Sequence, residues 1–142
     1  MNRNRYDVTT VIHAHLILSD STTIDVAVEL GYRASDPCVI QADFTADSST
    51  SKWLLARDLL GQGLVATQET GAGDGDVCIW RDEDPDYVLI SLTGTLGTAL
   101  LAAPAEPIER FVDATHALVP IGTESDSVGA AVDAFIASIL TV

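Results

Sequence analysis

Basic residues are scarce in this chain: 7 Lys and Arg stand against 21 Asp and Glu in 142 residues, for a formal net charge of -14. A chain so acidic repels phosphate at long range, and scattered cations do not build a concentrated basic face. This argues against nucleic acid or an anionic membrane as the main partner. Long apolar runs are also missing. None approaches the ~20 residues that span a bilayer, and the amino-terminal Met1-Asn-Arg-Asn-Arg-Tyr-Asp7 lacks the apolar stretch of a secretion signal. The expected location is therefore cytoplasmic. Cysteine is limited to Cys38 and Cys78. Each sits in an apolar, strand-like run, which predicts two buried, reduced thiols, with a single disulfide as the alternative.

What the chain does have is 47% hydrophobic residues and a mean hydropathy of +0.26, enough apolar surface to offset chain entropy despite the charge. The length suits one domain with a real core, taken as residues 1–142. Val8 to Leu18 is rich in β-formers, with His13 and His15 on one face. Alternation is cleaner in Ile24 to Tyr32, where Val26, Val28, Leu30 and Tyr32 oppose Asp25 and Glu29. A third strand carries Cys38, Ile40, Ala42 and Phe44 on one side, so the first part reads as a meander.

The period then changes. Asp47-Ser-Ser-Thr-Ser51 offers N-cap candidates, and Trp53-Leu-Leu-Ala-Arg-Asp-Leu-Leu60 predicts a short helix beginning near Thr50 and ended by Gly61 and Gly63. Val77 to Trp80 and Tyr87 to Leu92 read as the arms of a hairpin, and Thr98 to Ala103 as a sixth strand stopped by Pro104. Ile108, Phe111, Val112, Thr115 and Leu118 form the stripe of a helix beginning near Pro107. Val128, Val132, Phe135, Ile136, Ile139 and Leu140 form that of another, capped by Ser125 or Asp126. The expected fold is α+β, a curved antiparallel sheet of about six strands with packed helices.

Chemistry-bearing constellations are thin. His13 and His15 place two imidazoles on one strand face, but a metal needs a further ligand, His116 or a carboxylate. Gly71-Ala-Gly-Asp-Gly-Asp76 lacks both the dinucleotide fingerprint and the P-loop pattern, and its aspartates repel phosphate. Calcium fits Asp74 and Asp76 better, yet no ligand stands at the far end of the loop, and a tight turn between helix and strand explains it as well. Trp53 and Trp80 have the shape of base-stacking platforms, although their apolar segments favour burial. Arg57 reads either as a solvated pair with Asp58 or as an anchor for a carboxylate. No nucleophile elbow is present, so neither an enzyme nor a cofactor is expected. The densest acidic cluster, Asp82, Glu83, Asp84 and Asp86, lies in the turn between two strands, where it serves as a solvated hairpin tip or as a recognition loop for a basic partner.

Several segments in order carry a more specific signal: Tyr32 and Asp36-Pro37, Trp53 to Leu64, Gly75-Asp-Val-Cys-Ile-Trp80, Ala99 to Pro104, and Val119-Pro-Ile-Gly-Thr-Glu124. Together they resemble the SsgA-like proteins of filamentous, spore-forming bacteria over nearly the whole chain. The resemblance implies a non-enzymatic regulator of sporulation-specific cell division, an adaptor that positions or recruits division machinery such as the tubulin-like protein FtsZ, placed at division septa. It also implies a fold similar to the Whirly type of single-stranded nucleic-acid-binding protein, with homotrimeric assembly. A nucleic-acid-binding role is the alternative that follows from those fold relatives. The chain departs from the family pattern at Arg81, where proline usually follows the tryptophan, at Asp74-Gly75, and at Thr93-Gly-Thr-Leu-Gly97.

Overall fold

The computed structural model describes residues 6–20 and 22–121. Its elements are β1 (Val8–Ile17), β2 (Thr23–Tyr32), β3 (Val39–Ala46), β4 (Ser49–Ala56), α1 (Arg57–Gly63), β5 (Ala72–Asp74), β6 (Val77–Arg81), β7 (Tyr87–Gly94), β8 (Gly97–Pro104) and α2 (Ala105–Leu118). The strands form one sheet in the order β4-β3-β2-β1-β8-β7-β6-β5, and every neighbouring pair is antiparallel. Two four-stranded meanders thus meet where β1 pairs with β8. The α+β class agrees with the sequence reading, but the described sheet has eight strands rather than about six.

The two additional strands have clear causes. The segment read as a helix from Thr50 is the strand β4, and only Arg57–Gly63 is helical. Asp47 adopts a left-handed conformation, φ 54, in a two-residue turn that folds β4 back on β3, with Ala46 paired to Ser49. Trp53 and Leu55 point to the core side while Leu54 is 71% exposed, so a period of two prevails over the apparent helical spacing. The second addition, β5, is short and pairs with β6 through a turn in which Gly75 has φ +62. The Gly71–Asp76 stretch is therefore largely a hairpin, not a helix-to-strand turn.

One face of the sheet carries the core. Cross-strand rows such as Ile12–Val28–Phe44, Tyr32–Ile40–Leu55 and Ile79–Ile90–Leu101 are buried throughout, and a fully buried isoleucine such as Ile40 or Ile79 contributes roughly 1.5–3 kcal/mol. The helices pack on this same face. α2 presents Ile108, Phe111 and Val112 and lies against β1, while α1 lies against β5 and β6. α2 begins directly after β8, with Pro107 in its first turn. Curvature is evident from one cavity lined by Ser49 and Trp53 of β4 together with Leu96 and Thr98 around the β7–β8 turn, although β3, β2, β1 and β8 separate β4 from β7 in the sheet. The helix expected from Asp126 lies outside the described residues.

Two buried devices fix the helices. At Gly63 a Cβ would lie 2.6 Å from Ile79 Cβ, so only glycine allows α1 to sit this close to β6. Arg57, 1% exposed, donates from Nη1 to the carbonyls of Thr115 at 3.1 Å and Val119 at 2.6 Å. These are end groups of α2, so a cation meets the negative end of the helix dipole; Thr115 O also accepts from the Val119 N–H at 2.8 Å, while Val119 O lies past the last helical residue. Its guanidinium carbon lies 5.4 Å from the centroid of the Tyr32 ring, and the Tyr32 hydroxyl donates to the Pro37 carbonyl at 2.9 Å. Arg57 is therefore not the solvated partner of Asp58, which is exposed.

Candidate functional site

The acidic turn 82–86 is held as a rigid projection between β6 and β7. Its main chain closes on itself, with Asp82 N donating to Tyr87 O and Tyr87 N to Asp84 O, both at 3.0 Å. The Asp84 carboxylate accepts from Asp86 N at 3.1 Å, an aspartate turn that fixes the tip. Arg81 braces it from below: Nε donates to Pro85 O at 2.6 Å, and Nη1 donates to Leu64 O at 2.9 Å and to Glu109 at 3.4 Å. The backbone of Arg81 also donates to Ala66 O at 2.8 Å. One arginine thereby ties the turn to the segment after α1 and to α2. The Arg81–Glu109 pair is partly solvated and adds little by itself; the carbonyl contacts give the brace its geometry.

Glu83, Asp84 and Asp86 are exposed and Asp82 is half-buried. Beside the turn lies an open cleft of about 770 Å³. Val65, 83% exposed, and Trp80 line it together with Glu69, Asp82, Glu83 and Glu109. Apolar surface ringed by carboxylates suits a partner segment that carries basic residues next to an apolar one. Sequence reasoning found the acidic turn but missed Arg81 as its brace, and missed Glu69 and Glu109 as its neighbours. The position of Arg81, between an apolar strand and an acidic run, was the available signal. The two glutamates are brought in by folding alone.

The other candidates disperse. His13 and His15 are exposed on the sheet face opposite the helices, and His15 Nδ1 lies 3.2 Å from the Asp25 carboxylate. His116 belongs to α2, on the helical side of the sheet. No group of three or more potential metal ligands occurs among the described residues. Asp20, in the turn after β1, accepts from the hydroxyl and the main-chain N–H of Thr22, and these hydrogen bonds hold its carboxyl below the ordinary aspartate value. The two thiols are not buried as expected: Cys38 is exposed at the entry to β3 and Cys78 is half-buried in β6, both free. The tryptophans are likewise only half-buried. Trp53 spends its indole N–H on Ser51 Oγ at 2.8 Å, while the neighbouring Lys52 is paired with Asp43 at 3.2 Å. No described helix is long and apolar enough to cross a membrane.

The chain as a whole is similar to known proteins. The sporulation-specific cell division protein SsgB of Streptomyces coelicolor is 39% identical over 116 residues, 80% of this chain and 82% of that protein. SsgB of Thermobifida fusca is 34% identical over 144 residues, covering 99% and 100% respectively. The crystal structure of the SsgA-like sporulation-specific cell division protein from Thermobifida fusca superposes with a TM-score of 0.79 at 33% identity, covering 97% of this chain and 98% of that one. A structure from work correlating mutations in SsgB with longitudinal cell division during sporulation of Streptomyces coelicolor gives a TM-score of 0.77 at 35% identity, covering 89% and 98%. Residues 26–124 match the family described as Streptomyces sporulation and cell division protein, SsgA. That stretch includes Arg57, Arg81 and the acidic turn and leaves out His13 and His15, and with it the chain belongs to the SsgA family of sporulation and cell division proteins.

Proposed function

We propose that this protein is a non-enzymatic adaptor in sporulation-specific cell division, which recruits or positions a division protein, FtsZ being the first candidate, at the forming septum. The observation that carries the reading is the Arg81-braced acidic turn beside a cleft with exposed Val65 and Trp80, in a chain whose relatives are sporulation-specific cell division proteins. A projection already fixed by hydrogen bonds loses little conformational freedom when a partner docks. Its carboxylates steer a basic partner at long range.

Homotrimeric assembly belongs to the same proposal. β4 is a sheet edge, and Leu54 on it is 71% exposed, a combination that a symmetry mate covers well. A Whirly-like role in gripping single-stranded nucleic acid is favoured by the partial exposure of Trp53 and Trp80 and opposed by the net charge of -14. The test is a fluorescent fusion in a sporulating host lacking its SsgB, with restored division scored as well. The adaptor reading expects foci at future septa and recovery of septation by the unaltered chain. Diffuse fluorescence with no recovery contradicts it.

A further inference from the structure

Tyr6 forms a platform on the sheet face opposite the helices. A Cβ at Gly31 would lie 2.7 Å from the Tyr6 ring, so only glycine lets that ring lie against β2. The Tyr6 hydroxyl donates to Gln41 Oε1 at 2.7 Å, which fixes the far end of the ring. Arg33 stacks on this platform with its guanidinium carbon 4.7 Å from the ring centroid. Such a cation–π contact holds the planar group without using its N–H donors.

Those donors have no acceptor within the described fold. Nε of Arg33 is buried without a hydrogen-bond partner, and among the described residues the side chain forms no ion pair. The other described lysine and arginine side chains are engaged: Lys52 with Asp43, Arg110 with Glu106, and Arg57 and Arg81 with main-chain carbonyls. A buried donor left unpaired calls for an acceptor from outside, and a guanidinium fork matches a carboxylate.

The cleft beside Arg33 is small, about 110 Å³, and its walls include Asp36, Val39 and Leu54. That is well below the ~300–1,000 Å³ of a site for a drug-sized ligand and suits one side-chain head group. Asp36 adds a like charge that weighs against a dianion such as phosphate. The row Gly31, Gln41, Leu54 runs through paired strands to β4, so the cleft reaches the sheet edge, where Leu54 is 71% exposed. We infer that the Arg33 cleft receives a carboxylate side chain from a neighbouring copy of this chain. Copies that each carry a net charge of -14 repel one another, so their contact needs a cation. Arg33 is the unengaged one, among the described residues, beside the exposed edge. A closed ring of three uses heterologous contacts, so the carboxylate comes from a different surface of the neighbour. This ion pair rests on the trimeric assembly proposed above and names the group that offsets its like charge.

The test has two measurements on the full chain. Arg33→Gln should raise the concentration at which the assembly dissociates by about tenfold or more, read by light scattering on dilution, with circular dichroism unchanged. Lys52 is the sole lysine, so Arg33→Lys in a Lys52→Arg background leaves one side-chain amine, at position 33. A carbodiimide should then join that position to an Asp or Glu of another copy, seen as covalent dimers and trimers on a denaturing gel and mapped by mass spectrometry. An unaltered chain that is monomeric would remove the assembly reading and this ion pair with it. An assembled chain that dissociates as before with Arg33→Gln, or a position-33 cross-link that is absent or confined to its own chain, would overturn the ion pair alone.

Discussion

The Arg57 guanidinium donates to the main-chain carbonyl of Val119 at 2.6 Å, joining the β4–α1 corner to the end of α2 across 62 residues of sequence. The same Nη1 reaches Thr115 O. Removing the side chain takes the Arg57 donor from the part-buried Val119 carbonyl, leaves Thr115 O with the Val119 N–H alone of these two donors, and opens a void against Tyr32. Arg57→Ala should lower the unfolding free energy by roughly 3 kcal/mol or more, measured by urea denaturation. Arg57→Lys should recover only part of that, because an ammonium lacks the planar fork.

Gly61 and Gly63 lie two residues apart in α1 and should respond with opposite signs. A Cβ at Gly61 meets nothing within 4 Å, so Gly61→Ala should stabilise by about 0.5–1 kcal/mol through helix propensity and the entropy of the unfolded chain. At Gly63 the Cβ collides with Ile79, and Gly63→Ala should cost about 1–3 kcal/mol through overpacking. Chemical denaturation of both variants in parallel checks the pair. Equal effects would mean that the α1–β6 approach is looser than described.

The sequence made β1 to β3, β6 to β8 and α2 legible because each has one buried face, and a period of two or of 3.6 then follows from burial. Val26 to Tyr32 is the clearest case. β4 was misread because it is an edge strand. Its outer positions are free to vary, so Leu54 sits exposed between Trp53 and Leu55 and imitates a helical run. Asp47, which resembled a helix cap, is the left-handed residue of a hairpin turn. Local sequence does not separate those roles when the deciding interaction is a ladder to β3. The acidic turn was visible as a charge cluster, but its rigidity depends on Arg81 meeting Leu64, Pro85 and Glu109, contacts that only the closed fold brings together.

Single-stranded DNA should not bind measurably at physiological salt. Trp53 and Trp80 are partly accessible, but Lys52, the cation next to Trp53, is paired with Asp43, and Trp80 faces a cleft edged by carboxylates. Stacking alone does not replace phosphate contacts. Fluorescence anisotropy with a mixed-sequence oligonucleotide should stay flat. Tight, salt-sensitive binding would favour the nucleic-acid reading.

Assembly should give a mass near three times 15.0 kDa by light scattering at micromolar concentration. Leu54→Glu, a charge placed on the exposed β4 edge, should shift the distribution toward monomer without altering the secondary structure. A monomeric unaltered protein would contradict trimeric assembly.

In the proposed function the braced acidic turn recruits a division protein. Co-sedimentation with purified FtsZ filaments tests it most directly, with the unaltered chain compared to an Asp82→Lys, Glu83→Lys, Asp86→Lys variant that keeps the Asp84 turn. The unaltered protein should pellet with filaments and be released as salt rises, since exposed charges are screened over ~10 Å at 0.1 M. The variant should stay in the supernatant with a nearly unchanged thermal midpoint. An unaltered protein that never pellets, or a variant that pellets equally well, would contradict the account.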